Sequence, residues 1–250
     1  MIEIKNIHKS FGEREILNDV SFTFESGKTN VIIGQSGSGK TVLIKCMVGL
    51  NDINSGAVLY DNRSFFDLDF KQKKEIRKEI GMLFQGGALF DSKTVEENVV
   101  FPLSMFTDLS ESEKRDRANF CLQRVNLPNA SKLFPSELSG GMKKRVAIAR
   151  AIAVQPKYLY CDEPNSGLDP KTSIVIDNLI QEITEEYNIT TILITHDMNS
   201  VLEIGDNIIF IHQGKKWWSG NHSDILKAEN EELENFVYAT KFMKTLKSKF

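Results

Sequence analysis

The sequence lacks an apolar run of about 18 residues, the length that a membrane-spanning helix requires. Its first ten residues, MIEIKNIHKS, contain no apolar signal core, so we expect any work at a membrane to need a partner. Cysteine is scarce: Cys46, Cys121 and Cys161 form no C-x-x-C pair and have no close histidine partner. This pattern favours a reduced cytosolic chain over a disulfide framework or a zinc site, with the three thiols as small core residues.

An excess of positive charge is also absent. The chain has 31 basic and 34 acidic residues and a net charge of −3, which argues against an extended nucleic-acid footprint. A hydrophobic fraction of 41% excludes bulk disorder. The 250 residues suffice for one sizeable domain, or for a core domain that carries a subdomain.

The apolar pattern predicts an α/β protein. Alternating apolar residues over 2–7 and 20–24 predict an antiparallel strand pair, so a β-layer opens the chain. Further along, predicted buried strands alternate with predicted helices, which is typical of a parallel sheet. The predicted strands cover 29–33, 158–161 and 190–195, and the predicted helices cover 41–48, 70–80, 110–125, 140–154 and 171–187. A final hairpin over 207–219 turns at Gly214, and helix follows Asn221.

Residues 34–41 read GQSGSGKT and fit the pattern G-x-x-x-x-G-K-[ST] between a predicted strand and a predicted helix. Glycines let successive backbone N–H groups curl around a polyphosphate, and the helix N-terminus adds its positive dipole. Lys40 is expected to reach the β- and γ-phosphates, and the Thr41 hydroxyl to bind Mg²⁺. The predicted phosphate-binding residues are Gly34, Gln35, Ser36, Gly37, Ser38, Gly39, Lys40 and Thr41.

Two carboxylates, Asp162 and Glu163, end the predicted strand over 158–161, at the sheet edge where ligands of open α/β folds bind. We expect Asp162 to hold Mg²⁺ and Glu163 to act as general base toward the attacking water. His196 follows the next predicted strand and should emerge at the same edge.

Residues 138–142, LSGGM, precede a basic helical segment. Ser139 and the amides of Gly140 and Gly141 at a helix N-terminus would form a second anion site. With the motifs above, in this order, the chain resembles the ATP-binding-cassette (ABC) ATPases over about residues 1–225. The resemblance implies a P-loop NTPase (RecA-like) core with an N-terminal antiparallel β-layer and an α-helical signature subdomain. It also implies that two chains pair head to tail, so that Ser139, Gly140 and Gly141 bind the ATP of the partner in trans.

The same resemblance assigns further residues by position. Gln85 matches the family's Q-loop, which touches Mg²⁺ or the water, and Phe11 matches the aromatic residue that stacks on adenine. Asp169 matches the D-loop at the dimer seam, and His196 matches the switch histidine at the γ-phosphate. Two departures are visible, Met142 in place of Gln and Asn165 where Thr is frequent, and neither is a required phosphate ligand.

A narrower resemblance links the chain to the ATPases of Mla-type, Mce-associated phospholipid transporters. It is carried by residues 81–91, 94–99, 101–103 and 135–142. The apolar residues Ala88, Leu89 and Phe90 would suit docking of a partner's helix, or equally ordinary core packing.

These observations predict three regions: an ATP-binding core over 1–87 and 157–227, a helical subdomain over 88–156, and a C-terminal helical extension over 228–250. The extension changes from acidic to basic along its length, and it either packs on its own domain, clasps a partner or lies on a membrane surface.

The expected function is that of an ATPase subunit that uses ATP and Mg²⁺, dimerises around two nucleotides and drives integral-membrane permease subunits that move phospholipid. The expected location is the cytoplasmic face of the inner membrane, with an Mce-domain lipid-binding protein as a further partner. Transport of an amino acid, a metal or a lipoprotein is the alternative. Action on DNA or ribosomes is disfavoured because a long heptad insertion or a second cassette does not fit in 250 residues, so no nucleic-acid partner is expected.

Overall fold

The computed structural model describes residues 1–239, and the last part of the predicted C-terminal extension lies outside the described residues. Within 1–239 the strands form one sheet of four and one of six. The strands are β1 (Ile2–Phe11), β2 (Arg14–Phe24), β3 (Thr29–Ile33), β4 (Ser55–Tyr60), β5 (Arg63–Ser64), β6 (Ile80–Leu83), β7 (Tyr158–Asp162), β8 (Thr190–Ile194), β9 (Asn207–His212) and β10 (Lys215–Gly220).

The helices lie between and beside these strands. They are α1 (Lys40–Met47), α2 (Phe70–Lys78), α3 (Val95–Phe106), α4 (Glu111–Arg124), α5 (Gly140–Ile152), α6 (Pro170–Glu186), α7 (Met198–Ile204), α8 (His222–Ile225) and α9 (Glu231–Val237). Within residues 1–239, no helix combines the length and the apolar character needed to cross a bilayer.

The smaller sheet is the antiparallel β-layer, in the order β2-β1-β4-β5. The larger sheet has the order β10-β9-β3-β8-β7-β6, parallel from β9 to β6, with β10 antiparallel at one edge. Both parts of the predicted α/β architecture are therefore confirmed. Because the carboxyl ends of the parallel strands share one edge, the segments after β3, β6, β7 and β8 meet there.

Burial explains why the central strands form. Every residue of β3, β7 and β8 is buried, as expected for parallel strands covered on both faces. One core packs the β-layer and α1 against one face of the large sheet, and a second packs the helices α3, α4, α5 and α6 against the other. Cys46, Cys121 and Cys161 are free and buried, in agreement with their predicted place in the core.

The structure corrects several local predictions. The helix predicted over 70–80 ends at Lys78, because Ile80 already pairs with Tyr158 in the large sheet. The strands β4, β5 and β6 and the separate helix α3 were not predicted. Helix α3 begins with a capping box, in which Thr94 and Glu97 bind each other's backbone N–H groups.

Candidate nucleotide-binding and hydrolysis site

The P-loop connects the central strand β3 to helix α1. Gly39 is the N-cap of α1 with φ of 105°, and Gly37 has φ of 80°, so both lie in the left-handed region that glycine adopts easily. Close packing restricts the loop further. A Cβ on Gly34 would lie 2.2 Å from the carbonyl oxygen of Ile211, and one on Gly39 would lie 2.9 Å from Leu17 of β2. The glycines therefore let the loop lie directly on the β-layer and on β9.

Lys40 lies at the first position of α1 and is buried. Its Nζ donates hydrogen bonds to the carbonyl oxygens of Gly34, at 2.7 Å, and of Gln35, at 2.9 Å. Burial lowers the pKa of Lys40, while the charges of Glu163 and Asp162 raise it. The ammonium group is thus folded over the loop that it closes, next to the two carboxylates.

The residues of the loop fit a nucleotide with its cation. The Ser38 hydroxyl is buried without a hydrogen-bond partner, which is costly unless a ligand pairs with it. The Thr41 hydroxyl lies near enough to the Asp162 carboxylate to lower its pKa, so two oxygen ligands of the type that Mg²⁺ prefers lie near each other. Bound Mg²⁺ would supply charge neutralisation at the phosphates.

Asp162 is the last residue of β7 and is buried. Burial raises the pKa of its carboxyl group, and the neighbouring charge of Glu163 raises it further, while Lys45, Lys40 and Thr41 act in the opposite direction. Burial destabilises the charged form of the Asp162 carboxylate, and a bound cation would stabilise it. This supports the predicted role of Asp162 as a metal ligand.

Glu163 lies at the centre of a three-residue cluster. Gln85 donates from Nε2 to Glu163 Oε2 at 2.8 Å, and His196 Nδ1 lies 3.3 Å from Glu163 Oε1. Gln85 follows β6, Glu163 follows β7 and His196 follows β8, so three adjacent parallel strands bring these side chains to one edge. Glu163 has φ of 48°, an uncommon conformation for a residue other than glycine and frequent at functional sites.

Sequence reasoning missed two cations of α5 that contact the segment after β6. Lys144 is buried, and its Nζ donates to the carbonyl oxygens of Gln85 and, at 3.4 Å, of Glu163. Arg150 donates to the carbonyl oxygens of Ala88 and Gly87, both at 2.7 Å. The helical period contained a signal for Lys144, because it shares the buried side of α5 with residues 147, 148 and 151.

A second buried polar cluster joins the segments that follow β7 and β8. Asn165 Nδ2 donates to Asp177 Oδ1 at 2.7 Å, and the Ser200 hydroxyl donates to Asp177 Oδ2 at 2.7 Å. Burial raises the pKa of Asp177, and these hydrogen bonds partly offset the effect. Asn165, the position that departs from the family's frequent Thr, thus links α6 to α7, which begins two residues after His196.

Phe11 is 51% exposed at the end of β1, with Lys9 Nζ 4.8 Å from its ring centroid. It pairs with Arg14 at the turn of the hairpin, and Ile16 and Leu17 of the same hairpin contact Gly39. The ring therefore lies half exposed on the hairpin that packs on the P-loop, which leaves surface for the predicted contact with adenine.

The LSGGM segment forms the exposed start of α5. Ser139 is the N-cap and accepts a hydrogen bond from the Met142 N–H at 3.2 Å. A Cβ on Gly141 would lie 2.6 Å from Thr172, so this motif packs against the start of α6. Asp169 caps α6 by accepting from Lys171 and Thr172, which gives its carboxylate a structural role besides the predicted one.

A cleft of about 1030 Å³ opens beside Glu163. Its lining includes Glu163, His196, Leu168 and Phe236 of α9. The part of the predicted C-terminal extension that the structure describes therefore packs on its own core, where Phe236 contacts Phe210 of β9 with ring centroids 5.5 Å apart.

The fold and the site together define a P-loop nucleoside triphosphatase. Comparison with known proteins assigns it more closely, because the model of the ABC transporter family matches residues 17–166. The chain belongs to the ABC transporter family, as an ATP-binding and ATP-hydrolysing subunit that uses ATP with Mg²⁺.

Individual relatives agree with this assignment. The chain is 38% identical to the methionine import ATP-binding protein MetN of Campylobacter jejuni, over 97% of this chain and 77% of that protein. It is 36% identical to the probable ribonucleotide transport ATP-binding protein mkl of Mycobacterium leprae, over 94% of this chain and 68% of that protein. It is 38% identical to the intermembrane phospholipid transport system ATP-binding protein MlaF of Haemophilus influenzae, over 95% and 90%.

A solved structure shows the same fold. The dimeric ATP-binding cassette MJ0796, in a post-hydrolysis state bound to ADP and Pi, matches with a TM-score of 0.81 and 34% identity. The match covers 89% of this chain and 99% of that chain.

Proposed function

We propose that this chain hydrolyses ATP to drive the transport of phospholipid by integral-membrane permease subunits, and that it works as a homodimer that closes around two Mg·ATP. In this proposal the protein lies at the cytoplasmic face of the inner membrane, held there by the permease. An Mce-domain lipid-binding protein is the further partner.

The geometry around Glu163 supports its role as the general base. Its carboxylate lies at the sheet edge beside Lys40 and Asp162, within reach of Gln85 and His196. A positioned base of this kind contributes about 10²–10⁴-fold to a rate. Gln85 and His196 hold the carboxylate in place through these contacts.

The exposed signature segment supports the homodimer. Ser139 and Gly140 lie on the surface, where Gly140 neighbours Leu168 and Gly141 neighbours Thr172 of the same chain. A second anion-binding helix N-terminus at the surface suits nucleotide held by the P-loop of another copy. The structural relative MJ0796 is itself a dimer.

The exposure of apolar side chains beside Gln85 is the observation that supports a permease as partner. Phe84, Phe90, Phe101 and Met105 are all exposed, and the rings of Phe90 and Phe101 lie 4.7 Å apart in an edge contact. Leu89, by contrast, packs on the core. Apolar side chains next to a catalytic loop suit an amphipathic helix of a membrane subunit, whose movement would then reach Gln85.

The phospholipid cargo rests on the resemblance of residues 81–103 and 135–142 to Mla-type ATPases and on the similarity to MlaF. Import of an amino acid is the second candidate, because the identity to MetN is equally high. An ATPase subunit does not contact the cargo, so its partners must decide between the two.

The deciding experiment isolates the chain with its native membrane partners in mild detergent and identifies the co-purifying proteins and lipids by mass spectrometry. Recovery of a permease with an Mce-domain protein and phospholipid is the expected result. A permease with a soluble binding protein and no lipid would support the amino-acid candidate, and recovery of no membrane protein would contradict transport.

A variant pair tests the docking surface in the same experiment. Phe101→Asp should abolish recovery of the permease, because a charge replaces an apolar contact. Trp217→Asp is the matched control, since Trp217 is 45% exposed on β10, at the opposite edge of the large sheet from β6. Equal loss in both variants would contradict the proposed surface.

A further inference from the structure

Lys144 is a buried cation that connects the signature helix α5 to two segments of the hydrolysis site. Its side chain is 6% exposed, and its Nζ donates to the carbonyl oxygen of Gln85 and, at 3.4 Å, to that of Glu163. These two residues also hydrogen-bond each other through their side chains. Lys144 therefore binds the backbone of both Gln85 and Glu163, whose side chains also hydrogen-bond each other.

Both segments have backbone conformations that need support. Glu163 has φ of 48°, and Ala88, three residues after Gln85, has φ of 46°. Such conformations are strained and persist only where the surroundings hold them. Arg150 of the same helix binds the carbonyl oxygens of Gly87 and Ala88, so α5 supports this loop with two cations.

We propose that Lys144 is a positioning residue for ATP hydrolysis, which holds the Glu163 carboxylate and the Gln85 amide in register by binding their backbone carbonyl oxygens from the signature helix. The inference rests on the proposed role of Glu163 as general base. It makes the geometry of the base depend on the position of α5, whose N-terminus carries Ser139 and the signature glycines.

The expected effect is on turnover and not on nucleotide affinity. The hydrogen bonds of Lys144 go to Gln85 and Glu163, whereas the P-loop is closed by Lys40. Loss of the ammonium group removes a donor from two partly buried carbonyl oxygens, of which that of Glu163 also accepts from the Ser166 N–H at 3.2 Å, and lets the Glu163 backbone relax. A displacement of about 1 Å in a catalytic group can cost about 10²-fold in rate.

The test compares Lys144→Met with Lys143→Met in steady-state ATPase assays of the full chain, with ATP affinity measured by calorimetry. Met keeps the length and the apolar stem of lysine, and Lys143 lies one residue earlier on the same helix, only partly buried. We expect kcat of Lys144→Met to fall about tenfold or more with KM and ATP affinity unchanged. Lys143→Met should match the wild type.

Lys144→Arg supplies the rescue, because a guanidinium group can donate to both carbonyl oxygens, and it should retain most of kcat. Wild-type kcat in Lys144→Met would overturn the proposal, as would a loss that appears in KM or ATP affinity instead. Should Lys144→Met fail to fold, Lys144→Ala replaces it with the same expectations. Glu163→Gln is assayed in parallel: turnover that survives in this variant refutes the proposed base itself and is thereby distinguished from failure at Lys144.

Discussion

Gln85 and Glu163, 78 positions apart in the chain, are joined by a 2.8 Å hydrogen bond between the amide Nε2 and the carboxylate Oε2. The other carboxylate oxygen lies 3.3 Å from His196 Nδ1. The proposed general base thus has both oxygens in contact with protein groups. Each carboxylate oxygen has a further lone pair, so the attacking water can approach the base while Gln85 and His196 still orient it.

Glu163→Gln should retain ATP binding, lose about 10²-fold or more of ATPase activity and accumulate as a closed dimer with Mg·ATP. The amide has nearly the same shape but cannot act as a base. Turnover assays and gel filtration under saturating Mg·ATP measure both effects. Glu203→Gln, on α7 at the same cleft, is the control and should behave like the wild type. A monomer under these conditions would contradict the proposed closure.

Lys40→Ala should abolish nucleotide binding, because the ammonium group that closes the P-loop is lost. Calorimetric titration with Mg·ATP measures the affinity directly. Lys71→Ala, an exposed lysine of α2, removes the same charge elsewhere and should leave the affinity unchanged. Unchanged affinity in Lys40→Ala would refute the assignment of the phosphate site.

Two glycines of the P-loop should respond differently to alanine. At Gly37 the new Cβ meets no atom within 4 Å, so Gly37→Ala should cost only backbone strain at φ of 80°, about 1 kcal/mol. At Gly34 the Cβ would lie 2.2 Å from the Ile211 carbonyl oxygen, so the loop or β9 must move. Urea unfolding should therefore show a clearly larger loss for Gly34→Ala, and equal losses would contradict the described packing.

The sequence allowed prediction of the central strands and the P-loop because their signals are local. Residues 31–33 are continuously apolar, and the glycine pattern follows directly. Strand β6 was missed because it has four residues and adjoins a charged helix. Its conformation depends on its pairing with β7, which lies far away in the sequence. The helix prediction consequently ran two residues too far.

The residues of the candidate site also differ in whether local sequence signals predict them. Glu163 and His196 could be proposed because each follows a recognisable strand, whereas Gln85 depended on a resemblance, since β6 was not recognised. Lys144 was missed because a lysine in a basic helix is usually solvated, and only the packing of α5 beneath the Gln85 segment buries it. Burial of this kind is a tertiary property that residue type alone does not reveal.

Phe11→Ala should weaken ATP binding by several-fold, because stacking of an aromatic ring contributes about 0.5–1.5 kcal/mol. Phe11→Trp should preserve the affinity, since a ring remains. The melting temperature should change little, because Phe11 is half exposed. Titration with GTP should show the same loss, as stacking does not discriminate between bases. Equal affinity for ATP in Phe11→Ala and the wild type would contradict the predicted contact.

Asp177→Asn should change the pH dependence of stability in a defined direction. Burial, together with the charges of Asp197 and Glu203, raises the pKa of Asp177 in the folded chain, although Ser200 and Asn165 donate hydrogen bonds to it. An aspartate with a raised folded pKa contributes most to stability below the unfolded value of about 3.9 and loses that contribution as pH rises through the folded pKa.

Asparagine has no such titration, so the stability of Asp177→Asn relative to the wild type should improve as pH rises from about 3.9 through the raised folded pKa. Urea unfolding at several pH values measures the free-energy difference between the two proteins. Asp108→Asn, at an exposed position, is the control for the same exchange of a carboxyl for an amide. A difference for Asp177→Asn that falls with rising pH would mean that the hydrogen bonds to the carboxylate outweigh its burial.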